Sequence, residues 1–310
     1  MLSQTVRQKL KVWILPIAML CGVLFHDAID SVQFLAPYLI FAMLLITFSR
    51  IEPSQFRLPP LAWCIATVQI AGCILAYFAF LPFGDNLAQG AMICIICPTA
   101  TAAPVITAML GGSITTLIAI SVLSNLSAAI VAPVFFSLLG TPDAIPVSFI
   151  DTFLTIIAKV GPMIVGPMLI DLIIRKALPR IHNAISTRQS WSFYIWAISL
   201  IIVVGRAISF VMAEPGEHIA EMLALALIAG VLCSVQFLVG RKLGTKFGDK
   251  IAGAQGLGQK NTVLAVWMAV NFLNPLTSIA PAAYIAWQNT LNSLQIYFKT
   301  RKELHPNNLG

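Results

Sequence analysis

The sequence predicts an all-α integral membrane fold: ten transmembrane helices forming two inverted five-helix repeats within a single domain, residues 1–310. Three observations predict it. The chain is 58% hydrophobic and 10% charged, with a mean hydropathy of +0.88, which excludes a soluble globular domain. Apolar stretches long enough to cross a bilayer recur ten times. The fourth and ninth of them carry matching polar, helix-breaking interruptions.

In chain order the stretches fall at about 11–26, 33–49, 59–82, 88–109, 114–140, 150–174, 190–212, 217–240, 251–272 and 276–298. The first resembles a secretory signal, with Arg7, Lys9 and Lys11 ahead of an apolar run, but no small-residue cleavage site follows, so it reads as a spanning helix. With the N-terminus inside, the inner segments hold Arg7, Lys9, Lys11, Arg50, Arg57, Arg175, Lys176, Arg180, Arg188, Arg241, Lys242, Lys246, Lys250, Lys299, Arg301 and Lys302, 16 of the 19 basic residues. The opposite segments hold Asp27, Asp30, Asp85, Asp143, Asp151, Glu214 and Glu217 and no Lys or Arg. The positive-inside rule therefore sets an even helix count, with both termini on the cytoplasmic side of an inner membrane. The net charge of +7 is a topology signal, not a nucleic-acid footprint.

Five spans per half is an odd number, so the second repeat (about 150–298) runs inverted relative to the first (about 11–140). The fourth span contains Cys97-Pro98-Thr99-Ala100-Thr101-Ala102-Ala103-Pro104, and the ninth Gly253-Ala254-Gln255-Gly256-Leu257-Gly258-Gln259-Lys260-Asn261-Thr262. Such tracts free backbone groups that hydrocarbon tolerates only where they line a cavity or meet a ligand, and paired tracts point to a transporter's binding site. Lys159, Arg206 and Lys260 remain inside spans, each costing about 2.5–3.5 kcal/mol at the bilayer centre, so each should face the protein interior or a wet cavity, with snorkelling the alternative for Lys159 and Arg206. The excess of buried positive charge favours an organic anion as solute, or a protonation cycle at Lys260.

Other functions lack their residues. The six cysteines lie in apolar runs, and Cys94-x-x-Cys97 has no second cluster with which to build a metal site, so no cofactor is expected. No catalytic motif is present, and His26, His182, His218 and His305 lie in or near loops, against an enzyme. A channel or solute-sensing receptor on the same fold is the alternative of a different class. A cation antiporter would need a midplane carboxylate that is missing.

The motifs in order resemble the bile acid:sodium symporter family, in a divergent bacterial-type form. Residues 97–105 are similar to its C-P-G-G-T-A-S-N-V, and Asn261-Thr262-Val263-Leu264-Ala265 to its N-S-G-L-A. Pro275, Pro281 and Trp287-Gln288-Asn289 track its P…P…W-H-N, and Gln69 matches a glutamine placed near one sodium ion. The resemblance implies a four-helix panel and a six-helix core, crossing broken helices, and alternating access.

The departures concern coupling. The family's first sodium site falls on Ala103 and Pro104 with Leu117 and Ser121, its shared glutamate on Gly256 beside Gln255, and its next glutamine on Lys260. A hard cation wants several oxygens and usually a carboxylate. The expectation is that the Lys260 ammonium replaces a bound cation, making the carrier sodium-independent or proton-linked. The alternatives are one residual Na+ site near Gln69, Gln259 and Asn261, or conventional sodium-coupled symport. Substrate contacts are expected from Thr99, Thr101, Asn261 and Thr262, then Asn289 and Asn125, with half-helix N-termini favouring an anion.

Overall fold

The computed structural model describes residues 17–18, 20–49, 57–139, 149–187, 190–213 and 218–304. Among them every regular element is helical. The helix over 20–24 leads through α1 (His26–Ile29) and a 3-10 turn at Asp30–Leu35 into α2 (Ala36–Phe48). Then follow α3 (Pro60–Phe80), α4 (Asp85–Ile96), α5 (Ala103–Leu110), α6 (Ile114–Leu139) and α7 (Phe149–Ala177). The short α8 (Pro179–Thr187) leads to α9 (Ser190–Ala213), α10 (Ile219–Lys246), α11 (Lys250–Gly258), α12 (Thr262–Phe272) and α13 (Ile279–Leu304). Arg7, Lys9, Lys11, Arg50, Asp143, Arg188, Glu214, Glu217 and His305 lie outside the described residues.

Five helices among the described residues are by themselves long and apolar enough to cross a membrane: Ser31–Phe48, Pro60–Phe83, Ile114–Leu139, Phe153–Ala177 and Ile219–Lys246. The chain is an α-helical membrane protein. Other helices among the described residues are shorter or less apolar. α4, α5, α11 and α12 have 12, 8, 9 and 11 residues. At 1.5 Å per residue even the longest reaches only about 18 Å against a core of about 30 Å, so these pieces span only in pairs. α13 carries a polar stripe and a basic tail that lower its hydropathy. The burial pattern is the inverse of a soluble protein's. Leu223, Leu227, Val231 and Leu238, spaced along one face of α10, are about 60% exposed, the arrangement of a face that meets lipid.

The helices gather into two groups. α2 packs on both α7 and α9, with α1 against α9, while α3, α4, α6, α10, α11 and α13 pack together, and α6 also packs on α7 across the two groups. α12 touches both groups. Within the second group α10 and α11 meet through glycine: Gly240 and Gly253 face each other with no room for a β-carbon on either.

Each break has a local cause. Cys97 precedes Pro98, and the proline ring drives it out of the helical region to φ −55°, ψ 136°, ending α4. Gly111, at φ +83°, ends α5 in the left-handed conformation that glycine adopts without steric cost. The glycines at 253, 256 and 258 weaken α11 until Gln259 turns extended, and Asn261 starts α12 by accepting a hydrogen bond from Leu264 N at 3.3 Å.

Candidate functional site

The two extended breaks cross. Thr99 and Lys260 form an isolated antiparallel bridge, with Ala100 N donating to the Gln259 carbonyl and Asn261 N to the Pro98 carbonyl, both at 2.8 Å. Each break supplies the backbone partners that the other lost by leaving the helix, the condition for irregular backbone inside a membrane.

A helix leaves its last four carbonyls without internal partners, and at α4 and α11 side chains from elsewhere supply them. For α4, Cys94 O accepts from Gln236 Nε2 (3.3 Å), Ile95 O from Lys260 Nζ (2.8 Å), and Ile96 O from Gln69 Nε2 (2.7 Å). For α11, Gly256 O accepts from Thr99 Oγ1 and Gly258 O from the Tyr284 hydroxyl, both at 2.7 Å. The chain thus ties each broken helix with groups from both halves of the sequence, Lys260 and Gln236 reaching α4 and Thr99 reaching α11 from the other half.

Lys260 is the most unusual member. Its side chain is 1% exposed, and among the described residues no carboxylate pairs with it. The cation lies at the C-terminal end of α4, where the helix dipole concentrates negative charge, and the sulfurs of Cys73, Cys94, Cys97 and Cys233 lie in electrostatic range. Gln288 holds its backbone from both sides, accepting from Lys260 N (2.9 Å) and donating to Lys260 O (3.3 Å). Asp171 and Glu221 have local partners: Asp171 meets Arg175 and His182 at 3.3 and 3.4 Å, and Glu221 meets His218 at 3.3 Å.

No protein-family model matches the chain. It is similar to a curated protein of Bacillus subtilis (strain 168), named an uncharacterized sodium-dependent transporter, YocS, at 23% identity over 235 residues, which cover 74% of this chain and 68% of the relative. A membrane transporter stands among its relatives.

The structure brings Gln69, Thr99, Gln259, Lys260, Asn261 and Thr262 together at the crossing. Gln69 is committed on both sides, donating to the Ile96 and Cys97 carbonyls and accepting from Ser124 Oγ at 2.6 Å. Thr99 is committed too, since its hydroxyl donates to Gly256 O and its N–H to Ser124 Oγ (3.1 Å). Gln259 Oε1, Asn261 Nδ2, Thr262 Oγ1 and, on α6, Asn125 Oδ1 are buried with no hydrogen-bond partner in the structure. Thr101, Ala103 and Pro104 lie at the break and the first turn of α5, with Thr101 partly exposed. Ser121 is buried on α6, and its carbonyl accepts from Asn125 Nδ2 at 2.7 Å.

Gln255 and Asn289 lie elsewhere in the network. Gln255 Nε2 donates to Asn292 Oδ1 (3.0 Å) and Gln295 Oε1 (3.4 Å) across the α11–α13 seam, and Asn289 donates to Ile285 O on its own helix at 2.6 Å. Lys159 is exposed on α7, while Arg206 is half-buried on α9. Sequence reasoning missed Ser124, Gln236, Tyr284, Asn292 and Gln295. One signal for them exists: Tyr284, Gln288, Asn292 and Gln295 recur at helical spacing and make one polar stripe in an apolar span.

Proposed function

We propose that this chain is a secondary transporter that carries a small organic anion by alternating access, and that the Lys260 ammonium occupies the place of a coupling cation. The observation that carries the reading is the buried contact from Lys260 Nζ to the end of α4, inside the crossing of two broken helices. In this reading the ten spans form two inverted repeats in an inner membrane, with both termini cytoplasmic. The α1, α2, α7 and α9 group is the panel and the α3, α4, α6, α10, α11 and α13 group belongs to the core, a divergent bacterial-type relative of the bile acid:sodium symporters.

The donor set supports the substitution. A sodium ion at the crossing would need the Ile95 carbonyl, which already accepts from Lys260, and the Gln69 oxygen, which already accepts from Ser124. Where the family's glutamate falls, a β-carbon on Gly256 would come within 2.7 Å of Ile120 Cγ2, leaving no space for a carboxylate. With no carboxylate and two of its oxygens engaged, the residues do not fit a hard cation. The ammonium neutralises the α4 carbonyl end permanently or according to its protonation, which makes the carrier sodium-independent or proton-linked. Asn261 Nδ2 and Thr262 Oγ1, at the N-terminal turn of α12, are donors suited to an anion, and Gln259 and Asn125 supply acceptors for its hydroxyl groups.

The second reading is conventional sodium-coupled symport, favoured by the sodium dependence in the relative's name. Uptake of labelled organic acids into proteoliposomes, with sodium, pH and Lys260→Gln varied together, separates the two. The expected result is uptake indifferent to sodium that is lost, or becomes sodium-stimulated, in Lys260→Gln. Steep sodium stimulation of the unaltered protein restores ordinary symport, and failure of preloaded solute to drive counterflow restores a channel or receptor.

A further inference from the structure

Away from the crossing, the corner where α7 gives way to α8 has a chemistry of its own. Leu169, Ile173 and Lys176 recur at positions i, i+4 and i+7 and so share one face of α7. Leu169 and Ile173 are 51% and 63% exposed, an outward apolar stripe that ends in a lysine. Leu178 carries the chain round the corner, its N–H still donating to Ile174 O at 2.8 Å, and Pro179 opens α8 at the position where a helix has no use for an N–H.

α8 has three sides. His182, Ile185 and Ser186 are its buried and half-buried residues, at the spacing of one face turned to the protein. On one flank Ile181, with Leu178 just ahead of the helix, is apolar and about half exposed. On the other, Arg180, Asn183 and Thr187 are polar and exposed. A helix with protein beneath it, an apolar flank and a polar flank lies in the plane of the membrane surface. Asp171 decides which charges stay outside. It is 5% exposed, faces His182 Nε2 across 3.4 Å, and meets Arg175 Nη2 at 3.3 Å, while the same Nη2 donates to Ser49 O just past α2 at 3.4 Å. The carboxylate and Arg175 are thus turned inward, whereas Lys176 and Arg180 are exposed beside the apolar stripe.

We infer that this corner binds an anionic phospholipid of the cytoplasmic leaflet, with Lys176 and Arg180 taking its phosphate and Leu169, Ile173, Leu178 and Ile181 lying along its acyl chains. Two outward cations with the nearby carboxylate enclosed select a negative head group, and the adjoining apolar side chains select a lipid over a soluble anion. The leaflet rests on the orientation proposed above, while the site is independent of the solute carried. Because α8 lies in the chain between α7 and α9, a bound head group holds the α1, α2, α7 and α9 group at the membrane surface.

The test is local fluorescence of the purified full-length protein in mixed micelles. In a Trp191→Phe background, Ile181→Trp adds an indole at the corner. The added emission is titrated with brominated phosphatidylglycerol and with brominated phosphatidylcholine, whose bromines quench indole on contact. Phosphatidylglycerol is expected to quench at the lower mole fraction, each cation contributing about fivefold to the preference. Lys176→Gln together with Arg180→Gln removes the preference, and Lys176→Arg with Arg180→Lys keeps it. Arg241→Gln with Lys242→Gln, toward the end of α10, leaves it unchanged. Equal quenching by the two lipids, or a preference that survives the loss of both corner cations, overturns the inference. So does displacement of the bromolipid by inorganic phosphate, since the site is then one for a soluble anion. Should the double glutamine variant not fold, Lys176→Gln and Arg180→Gln are read singly, and an unchanged preference in both overturns it equally. The readout involves no solute, so failure here leaves the transport reading standing, and failure of uptake leaves the lipid site standing.

Discussion

Lys260 and Gln69 occupy the same crossing and are held by different logic. Lys260 brings a charge to a carbonyl that a neutral donor can also satisfy, so under the proposed reading its test belongs with transport. Gln69 brings no charge, yet it serves two carbonyls and one hydroxyl at the end of α4. Replacing it with leucine leaves those buried groups unpaired, at about 1–3 kcal/mol. Gln69→Leu is therefore expected to lower the unfolding temperature in detergent, whereas Asn289→Leu, which removes only a bond to its own helix, changes it little. Equal shifts for the two variants count against the Gln69 network. At this scale the sequence was most informative where a residue broke a pattern: a lysine and several amides in an apolar tract announced the crossing. It could not assign partners, because the hydroxyl that meets Gln69 is Ser124, 55 residues away, and nothing local marks Ser124 over Ser121.

Between elements, the decisive quantity is how closely α11 approaches its neighbours. Gly256 lies against Ile120 of α6, and a β-carbon there would stand 2.7 Å from Ile120 Cγ2 and 3.1 Å from its Cδ1. Gly256→Ala is expected to destabilise by about 1–3 kcal/mol through overpacking. Ile120→Ala in the same chain removes both clashing carbons and recovers part of the loss, a coupling that denaturation of the single and double variants measures. Purely additive effects would place the strain elsewhere. The breaks themselves were legible, since Pro98, Gly111 and the glycines at 253, 256 and 258 act through local backbone preference. Their mutual bridging was not, because pairing Thr99 with Lys260 is an encounter between segments more than 150 residues apart.

For the whole molecule, two helix groups meeting along a seam beside α12 predict motion of one group against the other. With Cys21 and Cys64 replaced by serine, Gln33→Cys in the turn before α2 and Trp267→Cys on α12 line one small gap between the groups, and a thiol-reactive bridge between them is expected to stop uptake. Cleavage of a reducible bridge should return it, and uptake that continues with the bridge complete argues against alternating access. Composition and hydropathy alone determined that the chain is helical and lives in a membrane, because in hydrocarbon a backbone must satisfy its own hydrogen bonds. They also located the helix breaks, whose causes are local. Only the tertiary structure decided that Lys260 reaches the end of α4, and that Thr99 and Gln69 are held in place while Asn261 and Thr262 retain unpaired groups. Those outcomes depend on which distant segments come within about 3 Å, a distance that sequence spacing does not encode.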